Sequence, residues 1–166
     1  MTLSKAFALA CLTVCCTSAI AQWRYSTESD KMTGTTTKWA EVRSNNSLSL
    51  DFPYKGSNFG RLYVRQKDGK NAEAFVTIEK GQILCRTYDN CAVRVRFDEN
   101  QPVRMSAAPA ADHSSKIIFI SPPGKFLSSA QKAKRILIEL SLYQNGNQVL
   151  DFDTPEPLTL PKPSKK

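Results

Sequence analysis

Apolar residues return at every second position along much of this chain, and that period restricts what it can fold into. Leu62 and Val64 share one phase while Tyr63 and Arg65 hold the other. Ala74, Val76 and Ile78 alternate with Phe75, Thr77 and Glu79, and Val93, Val95 and Phe97 alternate with Arg94, Arg96 and Asp98. Successive side chains of a strand point to opposite faces, so this pattern marks half-buried antiparallel strands. Leu48, Leu50 and Phe52 predict a further strand over Ser47 to Phe52, and the continuous apolar run Lys116 to Ser121 predicts one covered on both faces. Turn formers separate these segments at Pro53 to Gly60, Asp68-Gly69 and Asp98 to Pro102. One segment has helical spacing instead. Phe126, Leu127, Ala130 and Ala133 follow Pro122-Pro123-Gly124 and predict a short helix near 125–134. Lys132, Lys134 and Arg135 would lie at its C-terminal end, where they complement the helix dipole. The fold class that follows is mostly β: an antiparallel sandwich-like or α+β domain with one short helix.

The same period sets register. Ile136, Ile138, Leu140 and Leu142 share a face, as do Leu150 and Phe152, with Asn145-Gly146 between them. A two-residue type I′ turn at that dipeptide would set apolar residues opposite polar ones, although opposite residues share a face. An odd loop of Gln144-Asn145-Gly146 puts Leu140 opposite Leu150 and Ile138 opposite Phe152, with Gly146 left-handed in a G1 bulge. Pairing Phe97 with Val103 puts Val95 opposite Met105 and Arg96 opposite Arg104, with Arg94 on the same face. Arg94, Arg96 and Arg104, joined by Arg86, would then crowd one solvent face. Asp98 or Glu99 is expected to compensate their charge. Guanidinium forks match carboxylates and phosphates, so this face is a candidate site for an anionic group.

The first residues, Met1 to Ala21, read as a signal peptide cleaved before Gln22: Lys5, an apolar run from Ala6 to Val14, then Ala19-Ile20-Ala21. A spanning helix needs ~20 apolar residues, and this run is shorter, so no transmembrane segment is expected after cleavage. Cleavage removes Cys11, Cys15 and Cys16 and lowers the net charge by that of Lys5, from +8 to +7. Cys85 and Cys91 remain, and an isolated pair in an exported chain reads as a disulfide. In the chain-entropy model so short a loop contributes roughly 2–2.5 kcal/mol. One histidine and two cysteines do not furnish a tetrahedral zinc site, so neither metal nor cofactor is expected. Residues 22–153 then form one β-rich domain, and 154–166, TPEPLTLPKPSKK, a flexible Pro- and Lys-rich tail.

Catalytic chemistry has little to draw on. Ala111-Asp112-His113-Ser114-Ser115 holds the residue types of a nucleophile triad, but adjacent residues on a strand point apart and no G-x-S-x-G elbow is present. Asp112 and His113 are therefore candidates for a ligand-contacting loop, and a small periplasmic hydrolase using His113 is the alternative. The basic residues are dispersed along an exported chain, so nucleic acid is not the expected partner.

Trp23-Arg24-Tyr25-Ser26-Thr27-Glu28-Ser29-Asp30 to Gly34, the run Val95-Arg96-Phe97-Asp98-Glu99-Asn100, Ala110 to Ser115, the Ile118-Phe119-Ile120 strand and the short helix follow in an order that resembles small secreted or periplasmic β-proteins of bacteria. That order is distantly similar to the VasI-type accessory proteins of type VI secretion. The resemblance rests on Trp23, Asp30, Arg96, Phe97 and Asp98 and carries over no catalytic residue. It implies a periplasmic binding or accessory module. The expected function is that of a periplasmic or extracellular non-enzymatic protein that recognises a protein or an anionic envelope component.

Overall fold

The computed structural model describes residues 22–85 and 90–159. The expected signal peptide, Arg86 and the tail from residue 160 onward lie outside the described residues. The elements in order are β1 (Arg24–Ser29), β2 (Thr36–Ser47), β3 (Phe59–Lys67), β4 (Glu73–Ile78), β5 (Ala92–Phe97), β6 (Val103–Pro109), β7 (Ile117–Ser121), α1 (Pro123–Ala130), β8 (Arg135–Leu142) and β9 (Gly146–Asp153). The strands make one nine-stranded antiparallel sheet in the order β1-β2-β3-β4-β7-β6-β5-β8-β9. The fold is mostly β with a single short helix and a Cys85–Cys91 disulfide among the described residues.

The sheet rolls until its far strand returns to β2. β2 is twelve residues long. Its first part pairs with β1 from Thr36 to Glu41, and its end meets β9 through a side chain. Asn46 donates from Nδ2 to the Val149 carbonyl at 2.8 Å and accepts from the Asp151 amide at 2.9 Å. One phase of every alternating strand faces inward. Leu62, Val76, Ile118, Ile136, Ile138 and Phe152 are among its fully buried residues. α1 packs on this inner side, where Phe126 lies 5.5 Å from Phe97 between ring centroids. Gly60 faces Leu150 across the interior, and a Cβ at Gly60 would overlap the leucine side chain.

Three expectations change in detail. Residues 48–52 are not a strand. Leu48 and Leu50 are buried, but a turn closes from the Tyr54 amide to the Asp51 carbonyl, and Phe52 is left exposed. Pro53, which has no amide to give a ladder, stands at that turn. The helix ends at Ala130, not near Lys134, and the basic residues lie beyond its last turn. Asp98 Oδ1 takes the amides of Lys134 and Arg135 at 2.8 and 3.0 Å, which draws the chain into β8. The last hairpin keeps the expected parity but closes one pair earlier. Leu142 faces Gly146, Ile138 faces Leu150 and Ile136 faces Phe152, so Leu140 meets Gln148 instead of Leu150. Its loop is Tyr143-Gln144-Asn145. Gln144 takes φ +59°, while Asn145 donates to the Leu142 and Tyr143 carbonyls and accepts from Asp51.

The start of the proline-rich segment is tied down. Thr154 is fully buried and bonds Ala133 and Lys134, Leu158 enters the core, and the Thr159 amide donates to Tyr25 Oη at 3.0 Å.

Asn58 is also fully buried, and its side-chain amide binds three backbone groups. Oδ1 accepts from Glu79 and Lys80 and Nδ2 donates to the Lys80 carbonyl. Asn58→Ala leaves those backbone groups unpaired and should cost about 2–4 kcal/mol in urea unfolding. Gly146 sits at φ +60° with open space around it. Gly146→Ala should therefore destabilise through backbone strain alone, by about 1 kcal/mol in the same measurement.

Candidate functional site

The arginines of β5 and β6 project from one outer face, in a different register from the expected one. Arg94, not Arg96, stands opposite Arg104, and Val95 faces Val103. β5 runs past the start of β6 and pairs Phe97 with Ile136 of β8. Asp98 does not offset the arginines, because its carboxylate is bound to the Lys134 and Arg135 amides. The compensating acids are Glu139, directly across from Arg94 at 3.1 Å, and Glu99, 3.8 Å from Arg96. Glu99 is largely exposed, so its pair contributes little. Arg104 donates to the Asn90 carbonyl beside the disulfide at 3.1 Å. The hollow between Arg94, Arg96, Leu137 and Glu139 holds about 130 Å³, well below the ~300 Å³ at which ligand clefts begin.

Asp112 and His113 separate in role. Asp112 Oδ1 accepts from the Ser114 amide at 3.0 Å, the side-chain-to-backbone bond of a turn. His113 occupies that turn at φ +60°, its amide bonded to the Ala110 carbonyl. Its imidazole is exposed and takes part in none of the side-chain hydrogen bonds among the described residues. Asp112, in contrast, borders a large cleft.

That cleft is built mainly from the outward phase of five strands, β1, β2, β3, β4 and β7. Tyr63 of β3 stands opposite Phe75 of β4, which stands opposite Phe119 of β7. The Tyr63 and Phe75 rings stack at 5.2 Å between centroids, Phe119 lies 4.9 Å from Phe75, and Trp39 of β2 meets Tyr63 and Phe75 edge-on at 6.2 and 6.3 Å. Phe75, although it points outward, is only 7% exposed, because its neighbours cover it. Arg65 lays its guanidinium 5.5–5.8 Å from the Trp39, Phe75 and Phe119 centroids. Glu73 holds it there through Nε at 3.0 Å and Nη2 at 2.6 Å. Burial pushes the Tyr63 phenol above its ordinary pKa, so it remains a neutral donor at physiological pH.

The rim is charged, and its arginines are paired. Glu41 receives Arg24 at 2.9 Å and Arg61 at 2.6 Å, and Glu28 accepts from Trp39 Nε1 at 3.2 Å. The cleft encloses about 830 Å³ between β1, the aromatic row and Ala110 to Asp112, within the ~300–1,000 Å³ of small-ligand sites. Compared with protein-family models, curated proteins and solved structures, the chain matches none. The residues of the cleft must therefore speak for themselves.

The other residues singled out in the sequence have local roles. Trp23 and Phe97 are core, and Asp30 organises the β1–β2 turn by accepting from Met32 and Thr33. Among the described residues no group of His, Cys, Asp and Glu is placed to hold a metal ion, and no helix is long and apolar enough to cross a membrane. The cleft escaped the sequence reading because its rings come from different strands, β4 and β7 pairing across a gap in chain order. The available signal was an aromatic in the outward phase of an alternating strand, as at Tyr63 and Phe75.

His113 is exposed and its side chain supports nothing around it. His113→Ala should change stability by less than about 1 kcal/mol. A thermal melt checks this.

Proposed function

We propose that this chain is a non-enzymatic binding module of the cell envelope, and that its ligand site is the aromatic cleft on the outer face of the sheet. The observation that carries the reading is the Trp39-Tyr63-Phe75-Phe119 row, set in an otherwise polar face and rimmed by donors and acceptors. Aromatic surface that remains half-open to solvent favours a ligand with an apolar face and polar edges. Each rim arginine is already paired with a carboxylate, so an anionic ligand finds no unmatched positive charge there. A polyhydroxylated ligand fits better: the C–H face of a sugar ring lies on the rings while its hydroxyls meet carboxylates, guanidinium groups and the Tyr63 phenol. The ligand class is therefore a neutral saccharide, such as an envelope glycan.

An exported setting is part of this reading. The leader-like first residues and the Cys85–Cys91 bond both suit an oxidising compartment. The distant resemblance of the sequence order to VasI-type accessory proteins implies a binding role of the same kind.

Trp39 lines the cleft while Trp23 is buried in the core, so a change in tryptophan emission on titration reports the cleft. A β-1,4-linked N-acetylglucosamine tetramer should give saturable quenching with little dependence on salt. Trp39→Ala should weaken binding, read by calorimetry, by about tenfold or more. Absence of binding to neutral saccharides, combined with binding of an acidic peptide that Arg94→Ser abolishes, would transfer the site to the arginine face.

A further inference from the structure

Among the described strands β1 pairs with β2 alone. The other terminal strand, β9, has its outer edge engaged by the Asn46 amide at Val149 and Asp151. Among the described residues no side chain bridges the outer edge of β1 in this way, and the Thr159 amide meets only the Tyr25 phenol. All six of its residues are exposed, none is proline, and its pairing with β2 runs without a bulge from Arg24 to Ser29. A regular strand edge of this kind is a template for another strand, and natural edges are commonly blunted by charge, proline or a bulge.

The order of residues in β1 specifies what fits. In a two-fold antiparallel pair of identical strands, opposite residues share a face only if the axis passes through a residue. With the axis at Ser26, Arg24 faces Glu28 of the second copy, Glu28 faces Arg24 of the second copy, and Tyr25 faces Thr27. Arg24 holds Glu41 through Nη2 and Glu28 holds Trp39 through Oε2, which leaves the remaining guanidinium nitrogens and Oε1 for the second copy. An axis at Arg24 or Glu28 sets like charges opposite each other. An axis at Tyr25 leaves Arg24 facing Ser26. An axis at Thr27 brings Arg24 to Asp30, whose carboxylate is already held by Met32 and Thr33 in the turn. We propose that two copies of this chain join through β1 in an antiparallel, two-fold ladder centred on Ser26, closed at each end by an Arg24–Glu28 ion pair between copies. Such an interface is self-complementary, as a closed two-fold dimer requires.

Arg24, Ser26 and Glu28 also line the aromatic cleft. A two-fold axis perpendicular to the sheet keeps outer faces on the same side, so the dimer sets two clefts next to each other on one continuous surface. The ladder is short, and the dimer is accordingly a weak, concentration-dependent one. This inference does not depend on which ligand the cleft takes.

Sedimentation velocity of the purified protein over a concentration series tests it, with circular dichroism confirming that each variant is folded. The expected result is a reversible monomer–dimer equilibrium. Glu28→Arg and Arg24→Glu should each raise the dimer dissociation constant by about tenfold or more, because each sets like charges opposite at both ends. Glu28→Gln should weaken it less. An equimolar mixture of the two charge-reversal variants brings opposite charges together again and should restore association. A protein that sediments as a monomer at every accessible concentration would overturn the proposal. So would a dimer to which these substitutions are indifferent, or folded variants that fail to reassociate when mixed. A chain that dimerises only after removal of the residues following Thr159 would show that its own C-terminal segment covers the edge, and would equally overturn it.

Discussion

A single side-chain amide stands in for a strand ladder where the sheet closes. β2 serves β1 along its first part and ends against β9, and the register break between Arg43 and Ser47 redirects it. At that break Ser44 accepts from the Gly60 amide and donates to the Asn46 carbonyl, while Asn46 reaches across to β9. Buried backbone groups need partners. Because these few side chains supply them, the roll can close around Leu62, Ile138 and Phe152. The inward phase of every strand depends on that closure, since an open sheet would leave the same residues in water.

The outer face follows a different logic. It has no second layer, yet Phe75 is nearly as well shielded as the core. The shielding comes from its own cross-strand neighbours and from Arg65, whose guanidinium lies over the rings while Glu73 holds it in place. Each aromatic pair of this kind contributes about 0.5–1.5 kcal/mol beyond its burial. The row therefore serves stability and at the same time leaves an amphipathic surface. Further along the same face, across β6 with its outward Ser106 and Ala108, Arg94 meets Glu139, Arg96 lies near Glu99 and Arg104 bonds the Asn90 carbonyl.

The strands legible in the sequence were those whose inner phase is cleanly apolar. Leu62 and Val64, Val93 and Val95, and Ile136 to Leu142 all declared their faces by period alone, and the parity of the last hairpin followed from it. Register was harder to read. Both the Arg94–Arg104 pairing and the Leu142–Gly146 closure are shifted by two residues from the register that counting across the turns suggests. Parity is set by which face is buried, whereas register depends on loop conformations such as Gln144 and Asp98 at positive φ. β1 and β2 were invisible for another reason. All of β1 is exposed, and β2 buries only Ala40, Val42 and Ser44, too slight a signal in a stretch rich in threonine and charge. With β2 unseen, Trp39 had no place in any face, and the cleft could not be assembled.

Gly60 and Leu150 lie far apart in the chain and share one small space inside the roll. No side chain can be added at the first without taking room from the second, because the strands that carry them, β3 and β9, approach each other there. The bore of the roll is thus gauged by one missing methyl group. The two positions are a single steric unit: bulk added at residue 60 takes the space of Leu150, or the roll widens there.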